Sequence, residues 1–411
     1  MTAAGPPAGS AVLDGVDLLD PHLHADRDLT EVWRWLRRHD PVRWHPDTTG
    51  AGRGFWVVTR HADVVRIVRD DTAFTSVRGN MLATLLRGHD PGGGRMLVVS
   101  DGPFHADLRR VLAGGFGSRA LLGVTRSIAT ATRATLGGLL ERGGGDFVAE
   151  VAAQVPLRAI CELLGVPAVD RSRVLAMTGA AMLGEHAEPT GVEARIAQSE
   201  ILLYYTGLAA ERQSAPGSDL ISLLVASTVG GRPLRTEEVL LNCYNLIIGG
   251  DETARLALAG GLLALAGHEE QWARLVADPG LVEVGVEEIL RWTTPAAHIG
   301  RTVTTDVEVN GRRLAAGDVV TLWNVSANRD EDVFADPDVF DLGRRPNRHL
   351  TFGYGPHFCI GAQLARTEIR ALLAELRRSV RTIEVTGPVT RLPSNFVSGL
   401  RTLPVALTRR R

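Results

Sequence analysis

The segment FGYGPHFCIG at residues 352–361 constrains this chain more than any other ten residues, because it sets a cysteine among three glycines and leads directly into an amphipathic helical pattern. The first turn of that helix (Ala362, Gln363, Leu364, Ala365) presents unpaired backbone N–H groups and the positive end of its dipole to Cys359, which favours thiolate over thiol. Gly353, Gly355 and Gly361 let the backbone approach a flat ligand without a Cβ in the way, and they permit left-handed dihedrals beside the sulfur. Phe352 can shield one side, and His357 can offer an N–H to an anion. Such a loop suits a metal-bound thiolate. Cys161, in an apolar helical stretch, and Cys243 read instead as small core hydrophobes.

With 411 residues, 45% hydrophobic content and a formal charge of -2, the chain can bury a large core and carries no nucleic-acid signature. No run reaches the length of a spanning helix, and the first residues (MTAAGPPAGS) lack the basic-then-apolar order of a signal peptide, so a cytoplasmic location is expected. Three widely spaced cysteines make no disulfide framework. All 45 basic residues are arginine. Schiff-base catalysis, lysine-anchored pyridoxal phosphate and the P-loop lysine are therefore excluded.

Helical periodicity dominates, at residues 29–39, 61–70, 104–112, 120–141, 147–164, 192–212 and 220–226. Strand-like pieces are short: 55–59, 301–309, 319–323, 382–385 and 405–407. Glycine- and proline-rich loops punctuate these without a composition shift that marks a linker. The apolar stretch 239–266 predicts a long central helix. It contains Gly249-Gly250-Asp251-Glu252-Thr253, where each glycine costs a helix interior about 1 kcal/mol relative to Ala. Thr253 can turn its hydroxyl back one turn, so a kink or widening is expected there. A further helix, 282–292, carries Glu288 and Arg291 as E-x-x-R, by itself an ordinary i,i+3 surface pair worth a few tenths of a kcal/mol. Downstream lies NRDEDVFADPDVFDLGRR, residues 328–345.

The pattern F-G-x-G-x-H-x-C-x-G, the acid-alcohol motif G-G-x-E-T, E-x-x-R and the 328–345 segment together resemble the cytochrome P450 haem-thiolate monooxygenases. The resemblance runs from Asp40-Pro41-Val42 to the C-terminus. It implies a mainly α fold with small β-sheets, the P450 prism with a long central helix and a Cys-ligand loop. Residues 1–15 are expected as a disordered tail and 16–411 as a single haem-thiolate monooxygenase domain. By the same resemblance Cys359 ligates the iron of haem b (iron protoporphyrin IX), with Phe352, His357 and Gly361 around it. His105 and Arg109, one helical turn apart, join Arg301 and His357 in holding the haem propionates. Glu252 and Thr253 deliver protons for dioxygen cleavage, with Asp251 beside them at the variable position; Ala254 stands where many relatives have a second threonine. Glu288, Arg291 and Arg344 form a Glu-Arg-Arg network supporting the cysteine loop, and His349 is structural.

The activity so implied inserts one atom of O2 into a C–H or C=C bond of a small organic, natural-product substrate. No flavin or ferredoxin segment is recognisable, so electrons are expected from a separate ferredoxin and ferredoxin reductase, docking on Arg109, Arg110, Arg345 or Arg348. Expected pocket segments are 77–99, 182–198, the helix face around Asn245, Ile248 and Gly249, 295–299 and 395–397, with the glycine-rich loop 79–94 gating access. The wording LNCYNLIIGGDETAR is similar to relatives from secondary metabolism, including those that oxidise amino acids tethered to a carrier protein. Oxidation of a carrier-bound amino-acid or acyl group, a peroxide-driven peroxygenase and a non-catalytic haem-binding protein are the alternatives.

Overall fold

The computed structural model describes residues 10–48, 50, 52–187 and 192–410. Eleven helices of nine residues or more are found among the described residues. They are α1 (Thr30–His39), α2 (His61–Arg69), α3 (Gly102–Gly115), α4 (Ser118–Glu141), α5 (Gln154–Leu163), α6 (Arg171–Ala187), α7 (Val192–Ser214), α8 (Thr236–Gly267), α9 (Glu269–Ala277), α10 (Leu281–Thr293) and α11 (Ala362–Ser379). The central helix α8 packs against α5, α7, α10 and α11. Its start is set by Glu238, whose carboxylate accepts from the Arg235 backbone N–H at 2.8 Å and is itself fully buried. Helix α11 turns Leu364, Ile369, Leu372, Leu373 and Leu376 inward at i, i+3, i+4 spacing, each fully buried leucine contributing about 1.5–3 kcal/mol.

A five-stranded sheet lies beside the helices: β1 (Val42–His45), β2 (Phe55–Val58), β3 (Phe74–Thr75), β4 (His298–Val303) and β5 (Val319–Trp323), in spatial order β1-β2-β5-β4-β3. Only the β2/β5 pair is parallel, with Val320 opposite Trp56. All five residues of β5 are buried because the strand is covered on both faces. Val320 and Leu322 enter one apolar cluster with Val64, Ile67 and Leu350, while Val319 and Trp323 enter another with Trp33, Leu36 and Leu82. In a smaller sheet Pro404–Arg409 is the central strand, paired with Val380–Val385 on one side and Gly144–Asp146 on the other.

The mainly helical expectation holds, with local differences. The expected helix 147–164 is a π-helical turn, Val148–Ala152, followed by α5. The expected strand 301–309 is β4 plus a separate hairpin arm, Val307–Val309, paired with Arg312–Leu314. Asn310 and Gly311 both take positive φ (48° and 73°) at that hairpin, the two-residue turn an Asn-Gly pair favours. Part of the expected tail, residues 1–9, lies outside the described residues; Ser10–Leu13 form a 3-10 turn, and Val12 and Leu13 pack against the Trp33 cluster.

No widening interrupts α8, which is α-helical throughout its 32 residues. Close packing explains the second glycine: a Cβ on Gly250 would lie 2.8 Å from Ile160 Cγ1 of α5, whereas one on Gly249 meets nothing within 4 Å. Gly250→Ala is therefore expected to lower stability by about 1–3 kcal/mol through overpacking, and Gly249→Ala to raise it by up to about 1 kcal/mol through helix propensity. Denaturant unfolding of both variants checks this; equal effects would contradict it.

Candidate functional site

Cys359 follows a tight reversal in which Gly353 and Gly355 take φ near +69° and +68°, a region that only glycine enters without strain. The Cys359 backbone N–H donates to the Phe352 carbonyl at 2.8 Å, closing the loop, and α11 begins three residues later. The thiol borders a cavity of about 330 Å³ lined by Arg109, Phe116, Phe358, Gln363 and Arg366. Its side chain is solvent-accessible although protein surrounds it densely, which makes its accessible face the wall of a cleft. The structure reverses the expectation of a lowered thiol pKa. Burial pushes the Cys359 thiol up, and that outweighs the Gly361 N–H and the Arg109 and Arg366 charges, which pull it down.

Gly249 is exposed in the middle of α8, and Thr253 one turn on is part-exposed with its hydroxyl donating to the Gly249 carbonyl at 3.1 Å. Glu252 is buried, 3.6 Å from an Arg255 Nη2. Asp251 does not share this face. It lies about 200° around the helix from Thr253, is 1% exposed, and has an Oδ1 with no partner.

Four cations expected from separate stretches of chain converge. The His105 and His357 rings are 4.2 Å apart, and Arg109, Arg301 and His357 all bear on His105. Burial, then the His357 and Arg109 charges, push His105 down to about 4, against the pull of Asp101. Arg301 is 4% exposed, donates among the described residues to the adjacent Gly300 carbonyl alone, and is pushed down by burial to about 10. His105 Nε2 is buried without a partner. Such a group of desolvated donors calls for an anion. Asp101 cannot satisfy it alone, since its carboxylate already accepts from His357 Nε2 at 3.0 Å, Thr75 Oγ1 at 2.6 Å and the Ser76 N–H at 2.8 Å. Arg109 is half-committed: its Nη2 donates to the Phe358 carbonyl at 2.6 Å, leaving Arg110, Arg345 and Arg348 as the exposed members of the expected rim.

Behind the loop, Glu288 and Arg291 are both fully buried and joined by a forked pair of bonds, 2.8 and 2.7 Å. Arg344 approaches the same carboxylate at 3.2 Å. Sequence reasoning missed three supports. Asn347 donates to Glu288 at 3.0 Å, Asn328 fixes Leu350 N–H and Thr351, and Glu287 gathers Arg366 and His349. Glu287 was legible in principle, as it is one residue before the E-x-x-R glutamate and so on an adjacent helix face. Arg366 also stacks over Phe352, 4.6 Å from its centroid.

A larger cleft, about 780 Å³, lies between residues 24–30 and the second half of α8; it touches none of the expected cofactor or proton-delivery residues but includes Ala297 and Val397 of the expected pocket segments. The smaller cavity is the one that holds the thiol, with Arg109 and Arg366 beside it. The sequence pattern of cytochrome P450 matches residues 280–403. Cytochrome P450 NovI of Streptomyces niveus is 43% identical over 403 residues, 98% of this chain and 99% of the relative.

The chain is a cytochrome P450.

The steroid C26-monooxygenase of Mycolicibacterium smegmatis is 34% identical over 96% of each chain. The crystal structure of P450 OxyD, involved in the biosynthesis of vancomycin-type antibiotics, superposes with a TM-score of 0.87 at 36% identity, covering 96% of this chain and 100% of that one. The protein is accordingly a P450 monooxygenase with a haem-thiolate cofactor. The residues present suit that group: an accessible thiol, glycines that leave its approach open, and desolvated cations short of an anion. Among the described residues, no helix is long and apolar enough to cross a membrane.

Glu287 allows a pH test. Burial raises its pKa, but Arg366 and His349 outweigh that and hold it at about 2, against about 4.3 unfolded. A depressed folded value contributes stability that is fully present above pH ~4.3 and is lost as pH falls through ~2. Glu287→Gln is expected to cost about 1 kcal/mol at pH 7 and almost nothing near pH 2. Unfolding curves at both pH values measure the difference, and a pH-independent cost would contradict the assignment.

Proposed function

We propose that this P450 carries haem b on Cys359 and hydroxylates or otherwise oxygenates a small natural-product molecule, drawing electrons from a separate ferredoxin and ferredoxin reductase in the cytoplasm. The observation that carries the reading is the Cys359 thiol beside Arg109 in one cavity, with Arg109 also bearing on the cluster of His105, Arg301 and His357. When bound, haem b would supply the binding and reductive cleavage of O2, which side chains cannot perform.

The residues have distinct roles. Cys359 Sγ would ligate the iron, and the Gly361 N–H, donating to the sulfur, would moderate its charge. His105 Nε2 and Arg301 are the donors free to hold propionates, with Arg109 and His357 completing the anion site. Glu252 would hold a proton at its carboxyl beside Arg255. Thr253 Oγ1, swinging off the Gly249 carbonyl, would pass that proton out on the accessible side of α8. Tyr244, Asn245 and Ile248 share the accessible side of α8 and would orient substrate. Residues 188–191 of the expected pocket segment 182–198 lie outside the described residues. The exposed Arg110, Arg345 and Arg348 near the cysteine loop suit an acidic electron donor.

The natural-product assignment draws support from OxyD, whose role is in antibiotic biosynthesis. Oxidation of an amino-acid or acyl group tethered to a carrier protein is the second reading, favoured by the wording of α8. Absorbance titration of the ferric protein separates the two. A low-spin to high-spin Soret shift with free metabolites is expected for the first reading, and one seen only with carrier-loaded groups would favour the second. Cys359→Ser should abolish the thiolate-type Soret band; its survival would remove the assignment of the ligand. Thr253→Ala should lower the coupling of O2 consumption to product by about tenfold or more, and unchanged coupling would sink the relay.

A further inference from the structure

The larger cleft takes no part in the oxygenation chemistry, yet it is built like a binding site. At about 780 Å³ it matches the cavities that enclose drug-sized molecules, roughly 300–1,000 Å³. Leu256 of α8, Leu392 and Val397 line it as a small apolar cluster of their own, apart from the main core. Two indoles line it as well. Trp33 of α1 is 5% exposed and its ring N–H has no partner among the described residues, a buried donor that calls for an acceptor. Trp292, at the end of α10, also has a ring N–H without a partner among the described residues, and the Arg329 guanidinium lies 4.2 Å from its ring centroid.

Charge in the cleft is unevenly spent. Asp338 is paired with Arg34 and Arg329, and Asp28 accepts the Thr30 N–H at 2.9 Å. Arg27 reaches only the Val12 and Asp14 carbonyls, both at 3.4 Å, and the exposed Arg391 makes no hydrogen bond or ion pair through its side chain among the described residues. Two guanidiniums therefore stand without a carboxylate within ion-pair reach, against one unpaired acid, Asp26. An apolar, indole-lined hollow with guanidinium to spare suits a planar aromatic body carrying a carboxylate, which a guanidinium fork holds through two parallel bonds.

The cleft also shares a wall with the expected substrate side. Ala297 and Val397 line it, and they belong to the segments 295–299 and 395–397. Those segments are stitched into one unit. The Ala297 N–H donates to the Phe396 carbonyl and the Ser398 N–H to the Pro295 carbonyl, both at 2.8 Å, and His298 Nδ1 bonds the Asn395 carbonyl at 2.8 Å. A molecule lodged against Ala297 and Val397 therefore acts on both segments together. We propose that this cleft is an effector site for a small aromatic carboxylic acid, held by Arg391 at its acid group and by the Trp33 and Trp292 indoles at its ring, whose binding changes ligand affinity in the substrate cavity through the joined segments. The coupling rests on reading 295–299 and 395–397 as substrate-lining; binding in the cleft does not.

Calorimetric titration of the full-length ferric holoprotein with cinnamate, and with cinnamyl alcohol as the uncharged control, tests the proposal without turnover. Phenylimidazole at saturation occupies the iron and the cavity above it, so that the cleft is counted alone. One cinnamate per chain is expected to bind under these conditions with the Soret band unmoved, about tenfold more tightly than the alcohol. Arg391→Glu should weaken that binding by about tenfold or more, and Trp33→Phe, which keeps a ring and loses the N–H, by about threefold. Saturating cinnamate should shift the phenylimidazole dissociation constant by about fivefold, and phenylimidazole should shift that of cinnamate by the same factor. Arg391→Glu should lose this shift while keeping the wild-type phenylimidazole constant measured without cinnamate, which shows that the variant is folded. Cinnamate binding that Arg391→Glu leaves intact, or a phenylimidazole constant that ignores cinnamate, overturns the effector site. Cinnamate that moves the Soret band and is displaced by phenylimidazole sits in the substrate cavity, which overturns the cleft as its site and leaves the oxygenase reading standing.

Discussion

The buried ion pair between Glu288 and Arg291 is the interaction on which the cysteine side of the molecule depends. Taking two charges out of water costs more than their attraction returns unless every donor and lone pair is used. Here they are. Arg291 spends two donors on Glu288 and directs the rest to the carbonyls of Asn328, Pro337 and Val339. Arg344 reaches the same carboxylate while taking the carbonyls of Ala335, Asp336 and Val339. Two guanidiniums thus satisfy the backbone of a segment that has no regular structure of its own. An ammonium, with three donors and no planar fork, could not bridge carboxylate and carbonyls in this way.

From that anchor the order passes to the thiol in two parallel routes. Asn328, held by Arg291, receives the Leu350 N–H and donates to Thr351, whose hydroxyl returns to the Leu290 carbonyl of the same helix. Glu287, the neighbour of Glu288, binds His349 on one side and Arg366 on the other, and Arg366 covers the Phe352 ring. Adjacent glutamates on α10 therefore grip both flanks of the cysteine loop, one through backbone and one through side chains. Both routes act on position, while electrostatic influence on the sulfur comes from Arg109, Arg366 and the Gly361 amide.

Much of this was legible because it is local. The loop glycines, the i,i+3 pair of Glu288 and Arg291, and the one-turn spacing of His105 and Arg109 are visible within a few residues. Long-range partnerships were not: nothing near Asp101 in sequence announces His357, 256 residues away, and nothing near Asn328 announces Thr351. Two local readings failed for physical reasons that need the third dimension. The second glycine of the pair in α8, Gly250, serves close packing on Ile160, and the helix stays α-helical through both. The helix terminus at Cys359 does favour charge on sulfur, but the protein packed around the thiol disfavours the charged form more strongly. The orientation of Asp251 is a matter of helical phase, and phase is uncertain until the helix is fixed among its neighbours.

Comparison of the buried carboxylates gives the molecule a further logic. Glu238, at 0% exposure, is met by Arg232 at 2.6 Å and Arg235 at 2.9 Å; Glu288, at the same depth, is met by Arg291 and Arg344. Glu368 is as deeply buried and is met by no guanidinium among the described residues. A chain with 45 arginines has no shortage of partners to place there. At Glu238 the pairing holds the charge on the carboxylate, drawing its pKa down to about 2 chiefly through Arg232. Where burial goes unpaired the acid is pushed the other way, as Asp251 and Glu368 both are.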